Sequence, residues 1–318
     1  MPTATDDASG AAVPAATPFD PAAGARPVVR RLAVLGRPIG HSKSPQLHAA
    51  AYRAMGLDWD YSRLEVGPEE LPRFVDSLDE TWRGLSLTMP LKRTVIDVAD
   101  EAGPLVTMTG TANTLLLSAD GKRRAFNTDV PGFVGALGAA GVTALGTVLI
   151  LGSGATAACA LCAVARLGAG RVDVATRTPE HAAWLAPLAE GLGVTLAVHP
   201  MRLADRTLQV PDLVVSTLPG GVRPDVLITA STRRQALLFD VSYDPWPSPL
   251  AAAWQEVHGR VLSGFALLVH QALVQVRVFT AGDPETPLAG EDRVLRAMLD
   301  AVGLDEAGWG PGGPTAEG

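Results

Sequence analysis

The stretch GLSLTMPLK runs through small and apolar residues to Thr88, breaks at Pro90 and ends on Lys92. A lysine just past a strand is either a solvated loop amine or a proton-transfer group, and the letters alone leave both readings open. Asp129 in AFNTDVPGF is equally divided between capping the helix that follows and facing a cleft at a domain junction. Ser42 and Ser44 in GRPIGHSKSPQLHAA lie where a loop enters a helix. Two hydroxyls two residues apart, beside the positive end of a helix, can hold a carboxylate jointly, and Ser44 is also placed to act as the N-cap.

A second group of residues points to a nucleotide. VLILGSGATAACA carries an apolar strand into a helix through Gly152 and Gly154, with Ala157 in the third fingerprint position. The first glycine permits a tight turn, the second lets backbone approach a pyrophosphate, and alanine allows close helix–strand packing. Free N–H groups at the helix start then face the anion. At the end of the next strand, VATRT places Arg177 where an NAD site usually carries an acid, an arrangement suited to a 2′-phosphate and hence to NADP. Cys159 and Cys162, the only cysteines, are spaced CxxC, but no second Cys/His pair completes a zinc set. They read as small apolar residues on a helix, and no metal is expected.

These groups need elements to hold them. RRLAVLG reads as a buried strand, SPQLHAAAYRAMG as a helix with Pro45 in its first turn and Gly56 as its stop, DWDYSRLEV as a strand, PEELPRFVDSL as a helix and GLSLTM as a strand. LKRTVIDVAD reads as a further helix, and TANTLLLSADGKRRAFNTD as a hairpin turning at Asp120-Gly121. PGFVGALGAAG is a connecting helix. From TVLILGSG onward strands alternate with helices, PEHAAWLAPLAEGLG among them, in the βαβ pattern of a doubly wound parallel sheet. The long apolar FALLVHQALVQVRVFTAG and then EDRVLRAMLDAVG close the folded part as helices.

The 318 residues suffice for two domains. A hydrophobic share of 47% with 5% aromatics leaves Ala, Val, Leu and Gly to fill the cores, which suits close helix-on-sheet packing. A net charge of −7 gives no basic field for nucleic acid. No stretch offers the roughly 20 uniform apolar residues of a spanning helix, so no membrane partner is expected. Residues 1–29, rich in Ala, Pro, Gly and acid, and the glycine-rich end from 304 to 318 read as flexible tails. The first lacks the basic and apolar regions of an export signal, and a cytoplasmic location is expected.

Nine segments, GRPIGHSKSPQLH, LTMPLK, GTANTL, FNTD, LGSGATAACA, TRT, STLPGG, DVSYDP and GFALLVHQA, together resemble the shikimate dehydrogenase family in order and spacing. The resemblance implies an α/β protein with an N-terminal α/β substrate domain (30–130 with 264–303) and a doubly wound Rossmann domain for NADP (131–263). The C-terminal helices would return to the first domain. It implies NADP-dependent, metal-free reduction of 3-dehydroshikimate to shikimate in aromatic amino-acid biosynthesis, by a monomer or homodimer.

Residue by residue, the resemblance assigns the substrate carboxylate to Ser42, Ser44, Thr88 and Tyr243, and the ring hydroxyls to Lys92, Asn113, Asp129 and Gln271. Lys92 and Asp129 form its catalytic pair. The cofactor falls to Gly152, Ser153, Gly154 and Ala155, to Thr176, Arg177 and Thr178, and to Thr217 and Gly264. As a base, a lysine of ordinary pKa about 10.4 needs lowering by desolvation. Departures are visible as well. Ser86, a substrate-binding position, replaces the family's asparagine, Ser216 replaces another, Leu267 replaces a methionine, and His181 stands where a second basic residue is common. These departures keep open an alternative: a dehydrogenase of quinate or another cyclitol carboxylate, using NAD or NADP. A nucleotide-binding regulator without catalysis ranks below both.

Overall fold

The computed structural model describes residues 30–206 and 210–310. The expected N-terminal tail, and the expected C-terminal tail from 311, lie outside the described residues.

The chain opens with β1 (Arg30–Gly36), α1 (Ser44–Met55), β2 (Trp59–Glu65), α2 (Leu71–Asp76) and β3 (Trp82–Leu87). It continues through β4 (Glu101–Ala102), α3 (Pro104–Thr109), β5 (Thr114–Leu117) and β6 (Arg123–Phe126). These strands form one mixed sheet in the order β2-β1-β3-β5-β6-β4. Helical crossovers make β1 parallel to β2 and β3, whereas the short link at Asp120-Gly121 makes β5 and β6 an antiparallel hairpin.

After α4 (Asp129–Ala139) come β7 (Thr147–Leu151), α5 (Ala155–Arg166), β8 (Arg171–Thr176), α6 (Ala186–Gly191) and β9 (Thr195–Pro200). Then follow β10 (Leu213–Ser216), α7 (Ala230–Gln235), β11 (Leu237–Asp240), α8 (Pro249–Gln255) and β12 (Val261–Ser263). The second sheet is wholly parallel, ordered β12-β11-β10-β7-β8-β9. Its strand order reverses between β7 and β10, the switch point at which such sheets open a crevice.

The chain ends in α9 (Gly264–Ala281) and α10 (Glu291–Val302), which return to the first sheet. Val269, Phe279, Val294 and Met298 join Leu47 and Tyr52 of α1 over Leu32 and Val34 of β1. The other face of β1, Ala33 and Leu35, packs with Leu71, Val75, Val95 and Val106. Burial on both faces accounts for the unbroken apolar run LAVL. By length and composition α9 could cross a membrane, but 72% of it is buried inside the protein as a core helix.

α4 and α9 cross at unusually short range because α4 carries glycines where they meet. A Cβ on Gly132 would lie 2.7 Å from Gln271 Cβ and 2.8 Å from its backbone nitrogen, and one on Gly135 would lie 2.9 Å from His270 Nδ1. The spacing PGFVGALG, read from sequence as a plain connector, thus sets the distance between the two helices that carry Asp129 and Gln271.

Several elements depart from the sequence reading. LKRTVIDVAD is a turn and a 3₁₀ segment (Thr94–Val98), not an α-helix; β-branched Thr94, Val95, Ile96 and Val98 lose side-chain entropy in a helix. PEHAAWLAPLAEGLG divides into a 3₁₀ segment (Pro179–Leu185) and α6, with Pro187 in the first turn of α6; proline suits that position and not a helix interior. Ser44 does not cap α1: it is the first helical residue, and Ser42 Oγ accepts from its N–H at 3.3 Å. α3, α7 and α8 were not anticipated; each spans only six or seven residues, too short for a clear period. The expected tail also begins too early, since Leu304 and Trp309 are buried and Arg260 stacks over the Trp309 ring.

Gly132→Ala forces α4 away from α9. Denaturant unfolding is expected to show a loss of about 1–3 kcal/mol from overpacking, whereas alanine at Gly138, where a Cβ meets nothing within 4 Å, has no such effect.

Candidate active site

Lys92 and Asp129, 37 residues apart in the chain, meet in a cleft between the two sheets. Lys92 follows β3, where its carbonyl accepts from Ala112 N at 2.7 Å. Asp129 is the first residue of α4, so its even chance of being the cap resolves against capping. Asn127 does that work instead: its Oδ1 accepts from the backbone N–H of Asp129 at 3.0 Å and of Val130 at 3.3 Å. Its Nδ2 donates to Thr109 Oγ1, Thr111 O and Cys159 Sγ, anchoring the start of α4 to α5. Cys159 and Cys162 are both buried in α5 as expected of packing residues, and burial pushes the Cys159 thiol up to about 12.

Lys92 Nζ donates to Asp129 Oδ2 at 2.6 Å, with side chains only 18% and 7% exposed. Burial opposes the ammonium, but the adjacent carboxylate and its hydrogen bond outweigh burial and hold Lys92 above the usual lysine value. This reverses the expectation of a lysine lowered by desolvation. The reason is that the acid and the amine are buried together, so the charge that burial penalises is the charge its partner stabilises.

Asn113, just ahead of β5, links the pair to α9. Its Nδ2 donates to Asp129 Oδ1 at 2.9 Å and to Gln271 Oε1 at 3.2 Å, while its Oδ1 accepts from Thr128 N at 2.8 Å. Gln271 Nε2 turns back onto its own helix at Leu268 O. Four side chains from four segments therefore form one buried polar chain, Lys92–Asp129–Asn113–Gln271.

This chain borders a cavity of about 330 Å³. Ser42, Ser44, Ser86 and Thr88 line it from the first domain, Tyr243 from the second, and Gly264 from the point where β12 passes into α9. Thr156, after the glycine-rich turn, and Leu267 line it too. The remaining residues singled out for a dinucleotide lie outside the lining, at the C-terminal edge of the second sheet. Gly152 to Ala155 form the β7–α5 turn. Thr176 ends β8, with Arg177 and Thr178 exposed beyond it, and Thr217 follows β10. Gly152 has φ 104°, and a Cβ there would lie 2.5 Å from Thr217 Oγ1, so only glycine fits. At Gly154 a Cβ would meet nothing within 4 Å. Open space thus faces the start of α5, where free N–H groups suit a pyrophosphate.

Gln275, which lines the cavity, and Tyr61 behind it escaped the sequence reading, and His48, read from sequence as a packing or capping residue, joins them. Gln275 Nε2 donates to Asn113 O and Thr114 Oγ1, and because a carbonyl only accepts, this fixes the amide so that Oε1 faces Ser86 and His48. Ser86 Oγ then donates to that oxygen at 2.9 Å, and His48 Nε2 lies 3.2 Å from it. His48 therefore carries its proton on Nε2, leaving Nδ1 to accept from Tyr52 Oη at 3.0 Å. Tyr61 stacks on His48 at 3.9 Å between ring centres, and its buried hydroxyl has no hydrogen-bond partner among the described residues. Burial raises the Tyr61 pKa, opposed by the hydroxyls of Ser86 and Ser44 close by. Gln275 had a signal: it sits one turn after Gln271 in a mostly apolar helix. Tyr61 had none beyond the alternation of β2.

Comparison with known proteins decides the family. Residues 34–115 match the family model described as the shikimate dehydrogenase substrate binding domain. A shikimate dehydrogenase (NADP(+)) from Methylobacterium radiotolerans is 34% identical over 274 residues, covering 83% of this chain and 96% of that one. The chain belongs to the shikimate dehydrogenase family. The crystal structure of Mycobacterium tuberculosis shikimate dehydrogenase superimposes with a TM-score of 0.73 at 38% identity, over 85% of this chain and 99% of that one. The Thermus thermophilus shikimate 5-dehydrogenase, solved in complex with NADP(H) and shikimate, gives 0.71 at 29% identity, over 86% and 99%. Both neighbours carry the two-domain α/β arrangement, in keeping with the fold expected of the family.

Within this family member, burial keeps two histidines of the active-site layer neutral. It lowers His48 to about 3, against its hydrogen bond to Gln275 Oε1, and His270 to about 4. Unfolded histidine titrates near 6.5. Between that pH and the folded values the unfolded chain holds more protons, so stability present above pH 6.5 is lost on acidification. Each group contributes a slope of about 1.4 kcal/mol per pH unit in that window. His270 Nε2 is buried without a partner among the described residues. His270→Leu is therefore expected to flatten the fall in urea-unfolding stability between pH 6 and 4.5; an unchanged slope would show that His270 is not held neutral.

Proposed function

We propose that the protein reduces 3-dehydroshikimate to shikimate reversibly with NADPH, as an oxidoreductase of aromatic amino-acid biosynthesis. The observation that carries this reading is the buried Lys92–Asp129 pair at 2.6 Å, bordering a cavity that receives groups from the substrate sheet and the nucleotide sheet alike. The names of the relatives, NADP-dependent shikimate dehydrogenases, agree with it.

The dinucleotide fits this chain at the β7–α5 turn, with Arg177 and the hydroxyls of Thr176 and Thr178 beside it for a 2′-phosphate. When bound, its nicotinamide donates or accepts the hydride. Lys92, held protonated by Asp129, delivers its Nζ proton to the carbonyl oxygen as hydride reaches the carbonyl carbon. Lys92 leaves the step as a neutral amine and is reprotonated from solvent. Asp129 would accept from, and Asn113 donate to, ring hydroxyls, which would fix the orientation of the ring in the cavity. Ser42, Ser44, Thr88 and Tyr243 take the carboxylate, assisted by the N-terminal end of α1. A soluble cytoplasmic enzyme working on a small molecule follows from this reading.

Ser86 favours a second substrate. Its side chain is shorter than the family asparagine and its hydroxyl proton is committed to Gln275, which leaves room at the ring for an added hydroxyl, as in quinate.

Lys92→Ala is expected to lower kcat by about 10²–10⁴ with NADPH affinity intact; near-normal turnover would remove Lys92 from the chemistry. Because Lys92 lies above the ordinary lysine value, reduction has its proton in place at neutral pH, while shikimate oxidation must first deprotonate it. Oxidation kcat should therefore climb into the alkaline range as reduction kcat falls. In a substrate panel, shikimate with NADP should lead, and faster quinate oxidation with NAD would reverse the order of the two readings.

A further inference from the structure

The residue after the catalytic lysine reaches across the cleft. Arg93 places its guanidinium carbon 4.7 Å from the centre of the Trp184 ring, which belongs to the 3₁₀ segment after β8 on the nucleotide side. Trp184 in turn donates its indole N–H to the carbonyl of Ser153 at 3.2 Å, in the middle of the glycine-rich turn. Ser153 is also tied through Oγ to Thr176 Oγ1 at 3.2 Å, at the end of β8. A continuous line of contacts thus runs from the lysine segment of one domain to the phosphate turn of the other.

The geometry has a consequence for the turn. A trans peptide points its C=O and the next N–H to opposite sides. Holding the Ser153 carbonyl against Trp184 therefore turns the Gly154 N–H away from the indole, and fixes a donor in a turn that glycine residues would otherwise leave free to flip. At the other end, the Lys92 carbonyl is held by Ala112 N at 2.7 Å, so a pull on Arg93 acts on a segment with little slack.

We propose that Arg93 and Trp184 are positioning residues: Trp184 sets the peptide orientation of the glycine-rich turn, and Arg93, stacked on Trp184, couples that turn to the segment bearing Lys92. Dinucleotide binding at the turn then favours the closed arrangement in which Lys92 faces the nicotinamide side. The inference rests on the proposed function only in taking the turn as the dinucleotide site.

The test is a double-mutant cycle on the full chain, read by calorimetric binding of NADPH and, separately, of shikimate without nucleotide. A cation over an aromatic at a site open to solvent, as Arg93 is, contributes about two- to fivefold in an equilibrium, so Arg93→Ala is expected to weaken NADPH by that factor and leave shikimate binding unchanged. Arg93→Lys, which keeps a cation over the ring, restores it. Trp184→Phe loses the N–H to Ser153 and weakens NADPH, yet retains a face, so Arg93→Ala still costs affinity in that background. In Trp184→Ala the Arg93→Ala change costs nothing further. Equal penalties from Arg93→Ala in all three backgrounds, or a matching loss of shikimate affinity, overturn the coupling. A wild-type chain that fails to bind NADPH overturns the proposed function as well, so the two failures are distinct.

Discussion

A lysine and an aspartate buried together at 2.6 Å impose the conditions the rest of this structure meets. Either charge alone in that position would be strongly disfavoured, and the pair is tolerable only because each remaining polar atom around it finds a partner. Asp129 Oδ1 is taken up by Asn113, whose other donors and acceptors go to Thr128 and Gln271, and Asn127 closes the backbone at the start of α4. The network does more than neutralise charge. It holds the proton on Lys92 in the folded state, as the proposed role of that amine as proton donor requires.

Such a network requires its helices to lie closer than ordinary side chains allow. Glycines on α4 give that approach to α9, at the cost of helix propensity along PGFVGALG. α9 supplies Gln271 and Gln275 from one face and buries nearly all the rest of its surface, so its two glutamines are held by a rigid core element and not by a loop. The second layer, Gln275 with Ser86, His48 and Tyr61, continues the same logic one turn further along, with a neutral histidine whose tautomer follows from a single backbone carbonyl. The Tyr61 hydroxyl, near Ser44 and Ser86, finds no hydrogen-bond partner among the described residues.

Two contacts between the domains lie at the ends of this arrangement. The Arg93–Trp184 stack lies on the side of the glycine-rich turn, and His41 Nδ1 approaches Asp244 Oδ2 to 3.3 Å beside Tyr243. Both are weak contacts, unlike the buried anchoring of Asn127 to Cys159.

The letters of the chain determined its class and its family. Apolar runs ending in glycine gave away the parallel strands, the GSGATA turn a strand-to-helix junction, and nine ordered segments the family, because each depends on local geometry or on short spacing. Lys92, Asp129, Asn113 and Gln271 were legible as a set in this way. What the tertiary structure alone decided is how they act on one another. Whether Lys92 is raised or lowered, whether Asp129 or Asn127 caps α4, and where the Ser86 hydroxyl points all depend on atoms brought from elements tens to hundreds of residues away. The short helices and the split at Pro187 were hidden for the same reason: too few residues carry a period, and packing, not propensity, selects their form. Buried partners such as Tyr61 and His48 look in sequence like any other core residue, and only the fold shows that they stand behind a cavity.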